Sequence, residues 1–418
     1  MSKRCEEVYG IADIMLVFFA AAGIIIIGFL GNIIFRKIGL PEILFLIITG
    51  ILLGPVFNIF SKNDFLPVLP LISTFTLLMV LLRGGMELNI VEVVFGSLRA
   101  LFQAAAYFLV GMVLIALFLH FLVGWDLIES FMFGSIVSQT GEVVIIPMAK
   151  KLGIHAESAT LLSIEAVLTS IFNIVFFYAF LDARLGGALT LSNTLLSILS
   201  KFSVGIVVGA IMGILWLRAL FFFGKEEFTY MATLAYVLLG YIVSETLSGS
   251  GAIAILALGI ILGNDERILR TLRMSPSPPS FSEVKTYLMR FQREISVILR
   301  TFFFVLLGMM FDTSQSSIVL GLSYGLPVIG ILLAARYAVV SVSTRKSPMA
   351  ADKRIITSMC ALGLTPALLT FIAVQYNLPD ASLYTLLVTN MIIITNIITS
   401  LSAMVYRRTK PKEHPSHA

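Results

Sequence analysis

Charge is scarce in this 418-residue chain. Only 13% of its residues are Asp, Glu, Lys or Arg, against the quarter or so that soluble domains carry, while 58% are hydrophobic. Such a composition cannot cover a globule with polar surface, which excludes a soluble globular protein and points to a polytopic membrane protein. Cysteine is almost missing: Cys5 lies in the N-terminal tail and Cys360 in an apolar segment, so neither a disulfide framework nor a thiolate metal site is indicated. The four histidines, His120, His155, His414 and His417, do not cluster with other metal ligands at membrane depth. HExxH, GxSxG and P-loop motifs are absent, so no enzyme activity and no cofactor are expected. The net charge of +5 comes from basic residues in short loops, without the continuous patch that a nucleic-acid partner needs.

What the chain has instead is long apolar runs. A helix needs about 20 apolar residues to cross a bilayer, and by that rule thirteen segments are expected, centred near residues 23, 48, 77, 112, 137, 171, 208, 238, 256, 302, 328, 365 and 394. The first, about 11–35, is longer than a signal-peptide core and lacks a small-residue cleavage pattern before Arg36, so it is read as a retained helix. Basic residues concentrate after odd-numbered segments: Arg36 and Lys37, Arg99, Lys150 and Lys151, Arg218 and Lys225, the group from Arg267 to Arg293, Arg345 with Lys353 and Arg354, and Arg407, Arg408 and Lys410. Even-numbered segments are followed only by Lys62 and Arg184. The positive-inside rule then puts the C-terminus in the cytoplasm and the N-terminus outside. No soluble domain is expected, the stretch after Tyr406 being twelve residues long.

The order of segments carries an internal echo. GILLGP at Gly50 to Pro55 matches GIILGN at Gly259 to Asn264, and VLLRGGMELN at Val80 matches VLLGMMFD at Val305. The fifth segment is interrupted at Thr140 and the twelfth at Thr365 and Pro366, and both Val80 to Val305 and Thr140 to Thr365 span 225 residues. Residues 41–185 and 248–406 are therefore read as two five-helix repeats. Residues 1–40 form an N-terminal helix and tail, 186–247 linking helices, 264–289 a basic and flexible cytoplasmic loop within the second repeat, and 407–418 a cytoplasmic tail. Seven helices separate equivalent members, an odd number, so the repeats insert in opposite orientations. Inverted repeats of this kind build secondary transporters, with a site at mid-membrane between broken helices.

The candidate chemistry lies near those breaks. Thr140, Gly141 and Glu142 interrupt the fifth segment, and unwound backbone at membrane depth is tolerated only where protein buries it or a cavity hydrates it. A central carboxylate costs about 2.5 to 3.5 kcal/mol on insertion scales, which makes Glu142 a functional candidate; the competing reading puts it in an interface or a structural ion pair. In the sixth segment Glu165, Thr169 and Asn173 follow one helix face, with Ser170 rotated off it by about 100°. Arg300, at the start of the tenth segment's apolar part, needs an acidic partner, with Glu165 and Glu142 the leading carboxylates. Arg336 is open between such a role and a side chain reaching for headgroups. Glu245 is expected near the outer surface, and the Phe-rich TFFFVLL patch in packing or against lipid.

LPEILFLIITGILLGP, SQTGEVVIIPMAKKLG, IEAVLTS, SGSGAIAILALGIILGN, LRTFFFVLLGMMFD and ARYAVVSV together resemble the monovalent cation/proton antiporter superfamily, the sodium/hydrogen exchangers, from about residue 40 to 406. The resemblance implies an all-α fold of about thirteen transmembrane helices with a dimerisation domain and a mobile core domain. It also implies a homodimer that exchanges a monovalent cation, sodium or potassium, for protons by an elevator-like motion, and the short loops fit a plasma membrane. Thr140 falls on the Thr of the family's Thr-Asp-Pro break, and Thr365 with Pro366 lies in the partner break. Glu165 falls on the Glu of the Glu-Ser-x-x-Asn-Asp pattern, and Arg300 on the basic residue with which it is expected to pair structurally. Gly141 and Glu142 replace Asp-Pro, and Thr169 and Ser170 replace Asn-Asp, so a serine stands where family members bind ion and proton in turn. A serine cannot release that proton. The expectation is that Glu142 takes over proton exchange while Thr140, Thr169 and Ser170 offer neutral oxygens, which suit a transient sodium or potassium ion. The alternatives are a fold without proton coupling, as a passive pathway, a carrier of another solute or a sensor, or a membrane scaffold.

Overall fold

A computed structural model describes residues 41–59, 69–88, 98–185, 191–223, 229–271 and 279–409, with residues 22, 23 and 26 of the first apolar run. All regular structure among the described residues is helical. That follows from the solvent: hydrocarbon offers no partner for backbone N–H and C=O groups, so each segment must satisfy its own. The elements are α1 (Glu42–Ile51), α2 (Leu69–Glu87), α3 (Leu98–Phe118), α4 (Leu127–Val137), α5 (Glu142–Lys151), α6 (Ala156–Leu185), α7 (Leu191–Phe223), α8 (Thr229–Thr246), α9 (Gly251–Gly263), α10 (Asp265–Thr271), α11 (Pro279–Met309), α12 (Gln315–Ser343), α13 (Lys353–Ser358), α14 (Leu364–Gln375) and α15 (Ala381–Thr409). The segment expected near residue 23 lies largely outside the described residues; each of the other twelve centres falls on one of these elements or on the break inside one. Among the described residues, six stretches are long and apolar enough to cross a membrane, including α3 with its wide last turn, α4 with α5, α6, and α15.

Two groups of helices pack mainly among themselves. One contains α3, α4, α5, α6, α12, α13, α14 and α15; the other contains α1, α2, α7, α8, α9 and α11. They meet chiefly where α14 faces α2 and α11 and where α6 faces α7 and α2. Within the second group glycines set the approach. A Cβ on Gly50 of α1 would lie 2.1 Å from the carbonyl of Val305 and 2.9 Å from Gly308 on α11. A Cβ on Gly85 of α2 would lie 2.6 Å from the carbonyl of Leu256 on α9. Gly54 meets Met309 and Gly263 meets Met86 at 2.9 and 2.4 Å in the same way. The motifs that echo each other in sequence thus occupy matching places, α1 against α11 and α9 against α2. Phe303 and Phe304 of the TFFFVLL patch are fully buried, so they pack.

The basic stretch 264–289 was expected to be a flexible loop. Its described part is helix: α10 and the first turns of α11, which starts at Pro279 and carries an Arg290 to Glu294 pair at 3.3 Å. Residues 272–278 lie outside the described set.

At one end of the first group Asp352, just before α13, ties three elements together. Its Oδ2 accepts the His155 backbone N–H at 2.9 Å and the Ser158 hydroxyl at 2.8 Å and faces the His155 ring at 2.8 Å. Its Oδ1 accepts the Tyr406 hydroxyl at 2.8 Å. Burial raises this carboxyl, but the hydrogen bonds from His155, Tyr406 and Ser158 outweigh it and hold Asp352 below the ordinary aspartate range. It therefore stays ionised at neutral pH and joins the α5–α6 turn to α13 and α15.

Candidate functional site

Two interrupted helices meet in the first group. The backbone between α4 and α5, residues 138–141, is not helical, nor is 359–363 between α13 and α14. The Gly141 N–H donates to the Ala361 carbonyl at 2.7 Å, joining one break to the other. Thr365 and Pro366 thus sit in the first turn of α14, just past the break, and not at it. The requirement at Gly141 is space. Its φ of −75° is ordinary, but a Cβ there would lie 2.6 Å from both N and Cα of Gly363, backbone that cannot swing away. Gly141→Ala is expected to destabilise the protein by about 1 to 3 kcal/mol through overpacking. A denaturant series on the purified variant checks it; an unchanged midpoint would show that the crossing is looser than described.

Each break is braced by the next long helix, which takes over the polar backbone groups that unwinding frees. On the α6 side, Asn173 donates to the Ile136 carbonyl at 2.7 Å and the Thr140 N–H donates to the Thr169 hydroxyl at 3.3 Å. Thr169 passes its own proton to the Glu165 carbonyl at 2.8 Å. On the α15 side, Leu362 N–H donates to Thr395 at 3.1 Å, Cys360 N–H to Thr399 at 3.2 Å, and Asn396 to the Leu362 carbonyl at 3.0 Å. The α15 residues were missed in the sequence, although TNIITS at Thr395 to Ser400 is a polar cluster in an apolar helix.

Glu142 is the first residue of α5, where a carboxylate is favoured by the partial positive charge of a helix N-terminus. Its Oε2 lies 2.6 Å from the Ser170 hydroxyl, which also lies 2.8 Å from Oε1 of Gln139. Glu142 is half-buried, while Ser170, Gln139, Thr140 and Thr169 are buried. The charges of Arg83 and Glu87 on α2 reach Glu142; those two pair at 2.8 Å, their side chains about one third exposed at 35% and 34%. A hydroxyl has one proton to give, so Ser170 cannot serve both neighbours as donor. If Glu142 is protonated, it donates to Ser170, which donates to Gln139, and every contact is satisfied. If Glu142 is ionised, it takes the Ser170 proton and Gln139 Oε1 loses its donor. Around the crossing, Ser138 Oγ, Gln139 Nε2, Asn173 Oδ1, Thr365 Oγ1 and Asn396 Oδ1 are buried without a hydrogen-bond partner. Buried polar atoms are nearly always paired, so these five leave hydrogen-bonding capacity open around the crossing.

The expected pair of Glu165 with Arg300 is not formed. Glu165 is held by both terminal nitrogens of Arg336, with Nη2 at 3.3 Å from Oε2, and both side chains are fully buried. Arg336 also donates from Nε to the Ile356 carbonyl at 3.1 Å and lies 4.9 Å from the centre of the Tyr107 ring. Gln103 donates to Glu165 and accepts from Ser343. The reason is packing: Glu165 faces α3 and α12, whereas Arg300 is on α11 beside α1 and pairs with Glu42. Arg300 and Glu142 still feel each other's charge across the boundary between the groups. Among the described residues no group of three His, Cys, Asp or Glu side chains could hold a metal ion.

Residues 22–406 match the family described as sodium/hydrogen exchanger, transmembrane. The chain belongs to the sodium/hydrogen exchanger family. It is 26% identical over 329 residues to the probable Na(+)/H(+) antiporter 2 of Methanocaldococcus jannaschii, an alignment covering 75% of this chain and 74% of that protein. It is 24% identical over 399 residues to the K(+)/H(+) antiporter NhaP2 of Shewanella oneidensis, covering 91% of this chain and 64% of the relative. Its fold matches the solved structure of the sodium proton antiporter MjNhaP1 from Methanocaldococcus jannaschii with a TM-score of 0.74 at 20% identity, covering 95% of this chain and 97% of that one. The structure brings Glu142 and Ser170 into one hydrogen-bonded cluster.

Proposed function

We propose that this exchanger trades a monovalent cation, sodium or potassium, for a proton by alternating access, with Glu142 as the group that holds each in turn. The observation that carries the reading is the 2.6 Å contact between Glu142 and Ser170, which sets a carboxylate at the crossing against the residue that, by the resemblance, stands in place of the family's aspartate. Ser170 keeps the oxygen and Glu142 supplies the charge. In the proton-loaded form Glu142 donates to Ser170. On deprotonation the carboxylate, the Ser170 and Gln139 oxygens and the hydroxyls of Thr140 and Thr169 offer hard oxygen donors to a cation that replaces the lost proton's charge. One titrating acid makes exchange one-for-one and electroneutral. Glu165 with Arg336 holds the shape of the crossing.

The group containing the two breaks is the moving part, and the group of α1, α2, α7, α8, α9 and α11 is the frame. The cation and proton are proposed to reach Glu142 from the end of α2 that carries the part-exposed Arg83 and Glu87, an end that the positive-inside pattern puts in the cytoplasm, along with the C-terminus. The matched glycine contacts of α1 on α11 and α9 on α2 support reading 41–185 and 248–406 as inverted repeats. A homodimer is proposed from the family resemblance, and a plasma-membrane location from the short loops.

In proteoliposomes carrying an internal pH dye, adding sodium or potassium outside is expected to collapse an imposed acid-inside gradient. Failure of both cations to move protons, with the protein monodisperse before and after reconstitution, would reject exchange and favour a fold that has lost proton coupling.

A further inference from the structure

Where α3 begins and α12 ends, an open groove of about 570 Å³ runs between the two helices. Its walls are apolar, with Leu98, Phe102 and Val342 exposed at 74%, 48% and 61%. Arg99 and Arg345 line it as well, both exposed and neither in an ion pair among the described residues. Both helices look outward: only 39% and 33% of their membrane-spanning windows are buried. We propose that the groove binds one anionic phospholipid from the surrounding bilayer, phosphate on Arg99 and Arg345 and the start of an acyl chain along Leu98, Phe102 and Val342.

The chemistry favours a lipid over a free anion. Two unpaired guanidiniums recognise a phosphate, but two arginines above a lipid-facing apolar slot also fit the tail that a free phosphate lacks. The charge pattern puts this end of the helices at the cytoplasmic leaflet, where anionic lipids concentrate. The groove touches the buried machinery: Ser343 lines it and donates to Gln103, which donates to Glu165 of the Arg336 pair. A seated lipid would therefore pack against the outermost member of that chain of hydrogen bonds.

The test uses Phe102→Trp in the full chain as a fluorescent reporter, reconstituted with brominated phosphatidylglycerol or brominated phosphatidylcholine, with unsubstituted protein correcting for Trp125 and Trp216. Each basic side chain near the surface is worth about fivefold in anionic-lipid affinity, so quenching by the glycerol lipid is expected at a mole fraction roughly 25-fold lower. Adding R99Q and R345Q to the reporter is expected to remove that preference, and R99K with R345K to retain most of it. Equal quenching by both lipids, or a preference that survives R99Q with R345Q, would overturn the proposal. So would relief of quenching by millimolar inorganic phosphate, which would identify a free-anion site. Size-exclusion profiles before each titration establish that the variants are folded.

Discussion

Glu142→Gln is expected to bring exchange down to the level of empty liposomes while leaving the protein folded. A glutamine at this position can donate from its amide to Ser170 as the protonated acid does, and Ser170 can still donate to Gln139. The variant therefore reproduces the proton-loaded cluster but can neither release a proton nor offer a charge to a cation. Its stability should match or exceed the parent by about 1 kcal/mol, because a carboxylate at membrane depth carries a desolvation cost that an amide does not. Measured together, proton flux and the unfolding midpoint separate a transport role from a structural one. Flux retained at half the parent rate or more would remove Glu142 from the mechanism. A large stability loss would mean that Glu142 serves the fold.

Arg336→Met is expected to be the most destabilising single change, at about 3 to 5 kcal/mol. Removing one member of a buried pair strands the other charge where nothing solvates it, and that penalty exceeds the attraction the pair supplied. Here the stranded group is Glu165, left with Gln103 alone as a side-chain partner, and the Ile356 carbonyl loses its donor as well. Glu165→Gln with Arg336→Met should recover most of the loss, since the buried charge is gone and the amide oxygen at 165 can still accept from Gln103. The check is a double-mutant cycle of unfolding free energies in mixed micelles. A single variant within about 1 kcal/mol of the parent would show that the pair is solvated and not the brace described here. The corresponding change at Arg300 should cost less, because that residue and Glu42 keep some solvent exposure, 13% and 20% of their side chains.

The contrast between the two arginines shows what the sequence could tell. The first break was legible, because Thr140 to Glu142 interrupt an apolar run with residues that favour unwound backbone; the second was placed too late, at Thr365 and Pro366, whereas the unwound backbone is 359–363. The echo between Gly50 and Gly259 was legible for a related reason: close helix approach needs small residues, and small residues stand out among Leu and Ile. Partner choice was not legible. Arg300 lies at the head of an apolar run and Arg336 nearer a charged end, so local pattern ranked them in the wrong order. The pairing that decides the matter spans 171 residues and depends on which helices adjoin. Gln103 and Gln139 were overlooked although each is a lone amide in apolar sequence, a signal that would have flagged both as buried and in need of partners. The meeting of Glu142 with Ser170 could be posed as a question from sequence, but helix rotation answers it, and rotation is set by packing.

The central claim is that one carboxyl, Glu142, gives up a proton when a cation binds, and proton release from purified protein tests it most directly. Sodium or potassium added to unbuffered protein in detergent with a pH indicator should release one proton per protomer from the parent chain and from Ser170→Ala at higher cation concentration, and none from Glu142→Gln. Undiminished release from Glu142→Gln would contradict the account and place the exchanging group elsewhere in the membrane.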